Sequence, residues 1–137
     1  MEADGGADMT KAESLHAFFA GFGLRAYEEN NVPDRLADGS ENAPPYLTYE
    51  YAAGFWNDGE SIPIAVNLWD RSGSRQYLDE LTDAVSQAVT PFRRIDCDAG
   101  CIVITKGTPF AQAAPSGFDP DDKRVLLNLN LTFITRG

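Results

Sequence analysis

The chain has 137 residues, of which 43% are hydrophobic and 23% are charged, as is typical of a single globular domain. Its 21 acidic and 11 basic residues give a formal net charge of −10, and so acidic a chain gains little from contact with nucleic-acid phosphates. The sequence contains no run of about 18 apolar residues, and its first nine residues lack the basic and apolar parts of a secretory signal. We therefore expect neither a membrane span nor a leader.

The N-terminal region divides into a tail and a helix. Residues 1–9 are small and acidic and are expected to be disordered, which leaves residues 10–137 as one domain. A helix is predicted to begin at Thr10, because Glu13 follows at the spacing of a capping box. Apolar side chains then recur at helical spacing, at Leu15, Phe18, Phe19 and Phe22. Glycines at the end of this stripe predict the helix end.

The next part of the chain indicates strands and one long loop. Residues 24–29 could form a short strand, and residues 30–45 predict a loop because they are rich in proline, asparagine and acids. Residues 46–52 and 62–69 alternate in the manner of strands. The Asp-Gly pair in the segment between them, residues 54–60, indicates a hairpin turn.

A second helix is predicted after residue 74, with Ser74 or Ser72 as its N-cap and Pro91 beyond its end. Its expected buried stripe consists of Leu78, Leu81, Val85, Ala88 and Val89. Residues 101–105 then predict a short strand, and residues 107–122 predict a long loop. The last and longest strand, residues 123–135, is expected to bury Val125, Leu127, Leu129, Leu131 and Phe133.

These elements predict an α+β fold in the order α-β-β-α-β-β, with a further strand left open at residues 24–29. We expect a mainly antiparallel sheet of about four strands packed with two helices on one face. The wetter strand faces are expected to carry Thr48, Glu50, Asn67, Asn128 and Asn130.

The residues offer little for catalysis or for a cofactor. His16 is the single histidine, lies in the first helix without a nucleophile at a recognisable spacing, and is interpreted as structural or partly exposed. Cys97 and Cys101 could join His16 and a carboxylate at a zinc ion, but two reduced thiols of a cytosolic protein fit the spacing better. The acidic residues near Asp119 lack the spacing of a calcium loop. No catalytic, cofactor or metal site is therefore predicted.

The loop predicted at residues 107–122 is the most informative segment, because long loops in a compact domain are often functional. Its apolar residues suggest an interaction surface, for which the candidate interface residues are Phe110, Gln112, Phe118 and Asp119. The alternative is that Phe110 and Phe118 fold back and cover an edge of the sheet. The sequence favours neither.

Five segments together resemble the tail terminator (tail-completion) proteins of long-tailed bacteriophages and prophages. They are LHAFF, PPYLTYEYAAGFW, IPIAVNLWDRSGS, GCIVITKGTPFAQ and DDKRVLLNLNLTFIT, within residues 11–135. Each segment alone is weak, whereas the set in this order is fairly specific. The acidic N-terminal tail is not part of the resemblance.

The resemblance implies a small α+β structural protein, not an enzyme, that acts as a hexameric ring at the head-proximal end of the tail. Such a ring caps the tail tube, ends its polymerisation and offers a docking surface to the head. Its implied partners are other copies of itself, the tail tube protein and a head completion or connector protein, with DNA passing through unbound. It would be assembled in the bacterial cytoplasm, with no membrane, cofactor or catalytic residue involved. A head–tail connector, a tube component and a small enzyme remain the alternatives.

Overall fold

The computed structural model describes residues 9–51, 59–71, 75–114 and 123–135. Within these ranges the chain forms two helices and six strands. In chain order they are α1 (Lys11–Ala20), β1 (Arg25–Glu28), β2 (Tyr46–Tyr49), β3 (Ser61–Asp70), α2 (Gln76–Ala88), β4 (Arg93–Cys97), β5 (Gly100–Ala114) and β6 (Lys123–Thr135). The α+β class is confirmed.

The predicted strand count and element order are wrong. The observed order is α-β-β-β-α-β-β-β, because the segment left open at residues 24–29 is β1 and because β4 was not predicted. The apolar residues of β4, Ile95 and Cys97, alternate with charged residues over only five positions, too short a signal on its own. Its formation depends on pairing with β5, from Arg93 opposite Ile104 to Cys97 opposite Gly100.

The six strands form one mixed sheet in the order β1-β2-β3-β6-β5-β4. β1 and β2 run parallel, and the other neighbouring strands run antiparallel. The parallel pair corrects the expected mainly antiparallel sheet: the long connection after β1 returns the chain to the same end of the sheet before β2 begins. The predicted hairpin between β2 and β3 is confirmed by their antiparallel pairing, although residues 52–58 of its turn lie outside the described residues.

The centre of the sheet is the pairing of β3 with β6, which runs without interruption from Ser61 opposite Thr132 to Asp70 opposite Lys123. Apolar residues alternate in both strands, so their side chains meet on one face, as Val66 and Leu127 do. The face predicted for β6 is confirmed as buried at Val125, Leu127, Leu129, Leu131 and Phe133.

Both helices cover this apolar face. The predicted capping box of α1 is confirmed: the Thr10 hydroxyl accepts a hydrogen bond from the Glu13 N–H at 3.1 Å, and the Glu13 carboxylate accepts one from the Thr10 N–H at 2.9 Å. In α2 the buried side chains are Leu78, Leu81 and Val85. Arg75 occupies the N-cap position of α2, while the predicted caps Ser72 and Ser74 lie outside the described residues.

The helix α1 contacts both edge strands of the sheet, whereas α2 packs on the central strands β3 and β6. At the β4 edge, the Ser14 hydroxyl donates to the Asp96 carbonyl at 3.1 Å. Nearby, the Asp98 N–H donates to the carbonyl of Met9, the one residue of the predicted disordered tail that is described. The sheet therefore curls so that its first and last strands lie on opposite flanks of one helix.

Candidate interaction surfaces

The prediction of a loop at residues 107–122 is wrong for the first half of that segment. β5 continues to Ala114, and its last four residues pair with β6 from Ala111 opposite Leu127. Residues 115–122, which include the candidates Phe118 and Asp119, lie outside the described residues. Glycine and proline in this segment predicted a break, but β5 accommodates them in an irregularity between Lys106 and Ala111.

The irregularity is held against Asn128 of β6. The Asn128 side-chain amide donates to the Pro109 carbonyl at 2.9 Å. Gly107 lies so close that a Cβ atom on it would be 3.0 Å from both the Cβ and the carbonyl oxygen of Asn128. A side chain at this position would therefore crowd Asn128, and the bulge sets the position of the end of β5 relative to β6.

Of the candidate interface residues, Phe110 and Gln112 lie in β5, on either side of Ala111. Phe110 is half-buried against the core, with the Lys106 amine 5.1 Å from the centre of its ring, whereas Gln112 is exposed. The position of Phe110 matches the alternative in which this ring folds back onto the sheet. An interface role for either residue stays a prediction.

Among the described residues, no strand pairs with the second half of β5 on its side away from β6, and we call this side the open edge of β5. β4 pairs with β5 only as far as Ile104, and from Thr105 onward the described pairing of β5 is with β6 alone. Pro109 lies in this stretch, where the N–H that proline lacks would not be needed by a neighbouring strand. An edge of this kind can accept a strand from another chain.

The sheet face without helices carries a network of polar and aromatic side chains. The Trp69 indole donates to the Thr48 hydroxyl at 3.1 Å, and the Arg124 guanidinium donates to the Asn67 side-chain carbonyl at 3.1 Å. The same guanidinium lies 5.2 Å from the centre of the Trp69 ring. Thr48 and Asn67 are therefore only 6% and 9% exposed, which corrects their assignment to a wetter face.

A groove of about 600 Å³ lies between α1 and β1. Small apolar side chains of α1 and β1 line it, among them Ala12, Ala17 and Ala26. Two carboxylates, Glu13 and Glu28, stand at the same groove. The groove is therefore apolar with acidic groups beside it, and it was not predicted, because α1 and β1 meet only in the folded chain.

The polar end of the groove is a contact between His16 and Tyr49. Nδ1 of His16 lies 3.3 Å from the Tyr49 hydroxyl, and the Tyr49 ring stacks on Phe19 with 4.8 Å between centroids. Burial raises the pKa of Tyr49 to about 12, and the negative charge of Glu28 and the proximity of Tyr51 act in the same direction. The phenol is thus protonated at neutral pH, and His16 is exposed, as interpreted from the sequence.

The two cysteines lie at the hairpin between β4 and β5. Cys97 and Cys101 are both buried and form no disulfide bond. Among the described residues, no group of three or more histidine, cysteine or acidic side chains is placed to hold a metal ion. No described helix is long and apolar enough to cross a membrane.

The junction between α2 and β4 exposes a large apolar side chain that sequence reasoning missed. Phe92 is 56% exposed, and two residues further on the Arg94 side chain is 66% exposed. The guanidinium of Arg93, the residue between them, lies 5.7 Å from the centre of the Phe18 ring. A phenylalanine between a proline and two arginines was the available signal.

Compared with protein-family models and with curated proteins, the sequence gives no match. The fold, the open edge of β5, the groove and the exposed Phe92 are therefore the observations on which an account of function rests.

Proposed function

We propose that this chain is a tail terminator of a long-tailed bacteriophage or prophage. It acts as a structural protein that forms a ring on the end of the tail tube, ends polymerisation of the tube protein and gives the head a docking surface. Its partners are further copies of the same chain, the tube protein and a head completion or connector protein. DNA passes through the ring without specific binding, and the protein resides at the head-proximal end of the tail.

The main support is where the segments that resemble this family lie in the fold. IPIAVNLWD is β3, GCIVITKGTPFAQ lies in β5, and KRVLLNLNLTFIT is β6. These strands are far apart in the sequence, yet they are neighbours at the centre of the sheet, in the order β3-β6-β5. Three of the five segments thus form one contiguous piece of structure, as expected if they belong to a shared fold.

The surfaces of the molecule suit assembly. A closed ring needs a head-to-tail contact between two different patches of each copy. The described residues offer distinct patches of this kind, including the open edge of β5 and the groove between α1 and β1. The net charge of −10 also suits a wall past which DNA slides, because such a wall repels phosphate.

Co-expression with the tube protein of the same virus, followed by electron microscopy, tests the proposal. Tubes of uniform length should form only when this chain is present. Gln112→Arg in the exposed part of β5 should broaden the length distribution, whereas Gln87→Arg on the exposed side of α2 serves as a matched control and should not. Tubes of unregulated length in the presence of the wild-type chain would contradict the proposal.

A tube component is the second candidate, and the open edge of β5 favours it, because strand addition at an open edge can also build a continuous polymer. The purified chain would then form long tubes by itself. A tail terminator would instead form rings or remain in small assemblies.

A further inference from the structure

Two features of the surface, an exposed aromatic side chain and a groove, are candidates for a contact between copies. One is the projection formed by Phe92 and Arg94, here called the knob, and the other is the groove between α1 and β1. The knob presents an aromatic ring that is more than half exposed, and the groove presents small alanine side chains around a space of about 600 Å³. Aromatic side chains in apolar pockets contribute most of the binding free energy in many interfaces.

The two features are complementary in charge. Glu13 and Glu28 stand at the groove, where the described lining includes no lysine or arginine. Arg94 stands beside Phe92, and although it contacts Asp96 at 3.2 Å, most of its side chain is in solvent. In a chain with a net charge of −10, copies repel one another overall, so a basic projection and an acidic groove fix where they can meet.

A chain cannot fill its own groove with its own knob. In a helix, residues two apart point about 200° away from each other. Ala12 and His16 line the groove, whereas Ser14 and Phe18 face β4, through the Asp96 carbonyl and the Arg93 guanidinium respectively. The groove and the knob therefore lie on opposite flanks of α1, at the first and last strands of the sheet. A second copy of the chain can supply an occupant with this chemistry, because its Phe92 and Arg94 are exposed.

We infer that this chain self-associates head to tail, with Phe92 of one copy inserted into the α1–β1 groove of the next and Arg94 facing Glu28 at its rim. The inference rests on the ring of the proposed function and names its contact. Because each copy carries one knob and one groove on different sides, the contact is heterologous and can repeat until a ring closes.

Two single variants and their mixture test this contact. Phe92→Ser removes the knob, and Ala12→Trp fills the groove from an exposed helix position. Sedimentation at increasing concentration should show self-association of the wild-type chain and a loss of about 30-fold or more in affinity for each variant. An equimolar mixture of the two variants should give a dimer and nothing larger, because one intact knob and one intact groove remain.

Matched controls separate the contact from general surface changes. Ile134→Ser alters another exposed apolar side chain, at 46% exposure, and Ala84→Trp alters an exposed alanine of α2. Both should assemble as the wild-type chain does. A charge exchange covers the case in which the Ala12→Trp variant fails to fold. Glu28→Lys alone should weaken assembly, and the double variant Glu28→Lys with Arg94→Glu should restore it.

Wild-type-like assembly of the Phe92→Ser variant would overturn the inference, and so would a mixture that stays monomeric. A wild-type chain that remains monomeric at about 1 mM, the weak end of specific association, would also overturn it. The outcome is distinguishable from failure of the proposed function. If assembly depends on the knob but tube length is not controlled, the proposed tail terminator function is wrong and the contact between knob and groove stands. If the Phe92→Ser variant still controls tube length, the contact is wrong and the proposed function stands.

Discussion

The hydroxyl of Tyr49 lies 3.3 Å from Nδ1 of His16, and this contact joins β2 to α1 across the polar end of the groove. The tyrosine ring is buried and stacked on Phe19, whereas the histidine is exposed. The pair therefore links the core to the surface that we propose as a docking site for a second copy.

The raised pKa of Tyr49 predicts a loss of stability at alkaline pH. Below pH 10 the Tyr49 phenol is protonated in both the folded and the unfolded chain, so it does not make the free energy of unfolding depend on pH. Between pH 10 and about 12 the unfolded chain releases this proton and the folded chain keeps it, so the free energy of unfolding falls. The expected fall is up to about 2 kcal/mol, at about 1.4 kcal/mol per pKa unit with partial screening by solvent.

Urea unfolding of the wild-type chain and of Tyr49→Phe from pH 8 to 12 measures this contribution. The variant should be less stable by about 1 kcal/mol at pH 8, because it lacks the hydroxyl, and should show a smaller alkaline decline. Tyr27→Phe is the matched control and should decline as the wild-type chain does. Equal alkaline declines in the wild-type chain and Tyr49→Phe would refute the prediction.

The capping box of α1 predicts a cost for Thr10→Ala. Removal of the hydroxyl leaves the Glu13 N–H without its side-chain acceptor and should lower the free energy of unfolding by about 1 kcal/mol. Separately, the Thr10 backbone N–H, and to a smaller extent its side chain, hold the pKa of the exposed Glu13 carboxyl below its ordinary value. The contribution of the carboxylate is therefore complete above that ordinary value and is lost as the pH falls through the lower pKa of the folded chain. Thermal unfolding should show most of the difference between wild type and variant at both pH 7 and pH 3, because the variant keeps the backbone N–H that binds the Glu13 carboxylate and loses only a hydroxyl–amide bond that does not titrate. Gln87→Ala, at an exposed position of α2, should change stability by less than about 0.5 kcal/mol.

The close approach of Gly107 to Asn128 predicts that Gly107→Ala is destabilising. The added Cβ atom would lie 3.0 Å from backbone and side-chain atoms of Asn128, so one of the two strands must shift by a few tenths of an ångström. We expect a loss of about 1–3 kcal/mol in urea unfolding, the usual cost of overpacking. Ala113→Ser on the exposed part of the same strand should change stability by less than about 0.5 kcal/mol. A wild-type unfolding midpoint for Gly107→Ala would show that the bulge can move freely.

The different burial of Phe110 and Gln112 predicts that their substitution has different consequences. Phe110→Ser should lower stability by about 1–3 kcal/mol, because the ring packs against the core, so any defect in tail capping would be confounded by unfolding. Gln112→Glu should leave stability within about 0.5 kcal/mol and still impair capping if this face of β5 contacts a neighbour. Unfolding curves measured together with tube lengths distinguish a loss of stability from a loss of tail capping. Normal capping by Gln112→Glu would exclude this face of β5 from the interface.

Local signals in the sequence predicted the elements that depend on local interactions. The capping box at Thr10 and the apolar spacing after it placed the start of α1 correctly. The alternation from Val125 to Phe133 fixed which side of β6 is buried, because a shift by one residue would expose every one of these side chains. The stripe of α2 was predicted for the same reason.

Elements that depend on a distant partner were predicted poorly. β4 is five residues long and is stabilised by its pairing with β5, and the second half of β5 is held by β6 across a bulge that contains Gly107 and Pro109. Read locally, those two residues indicate a loop. Thr48 and Asn67 were placed on a wet face because no local pattern shows that Trp69 and Arg124 cover them.

The sequence by itself determined the α+β class, the two amphipathic helices and the buried faces of the longest strands, because these follow from the spacing of apolar residues along a short stretch of chain. Tertiary structure alone decided the strand order, the open edge of β5, and the positions of the groove and the knob. The groove and the knob lie beside α1 at the two edges of a curled sheet, whereas the strand order and the open edge of β5 depend on pairing between distant strands. Contacts between segments so far apart leave no period in the sequence.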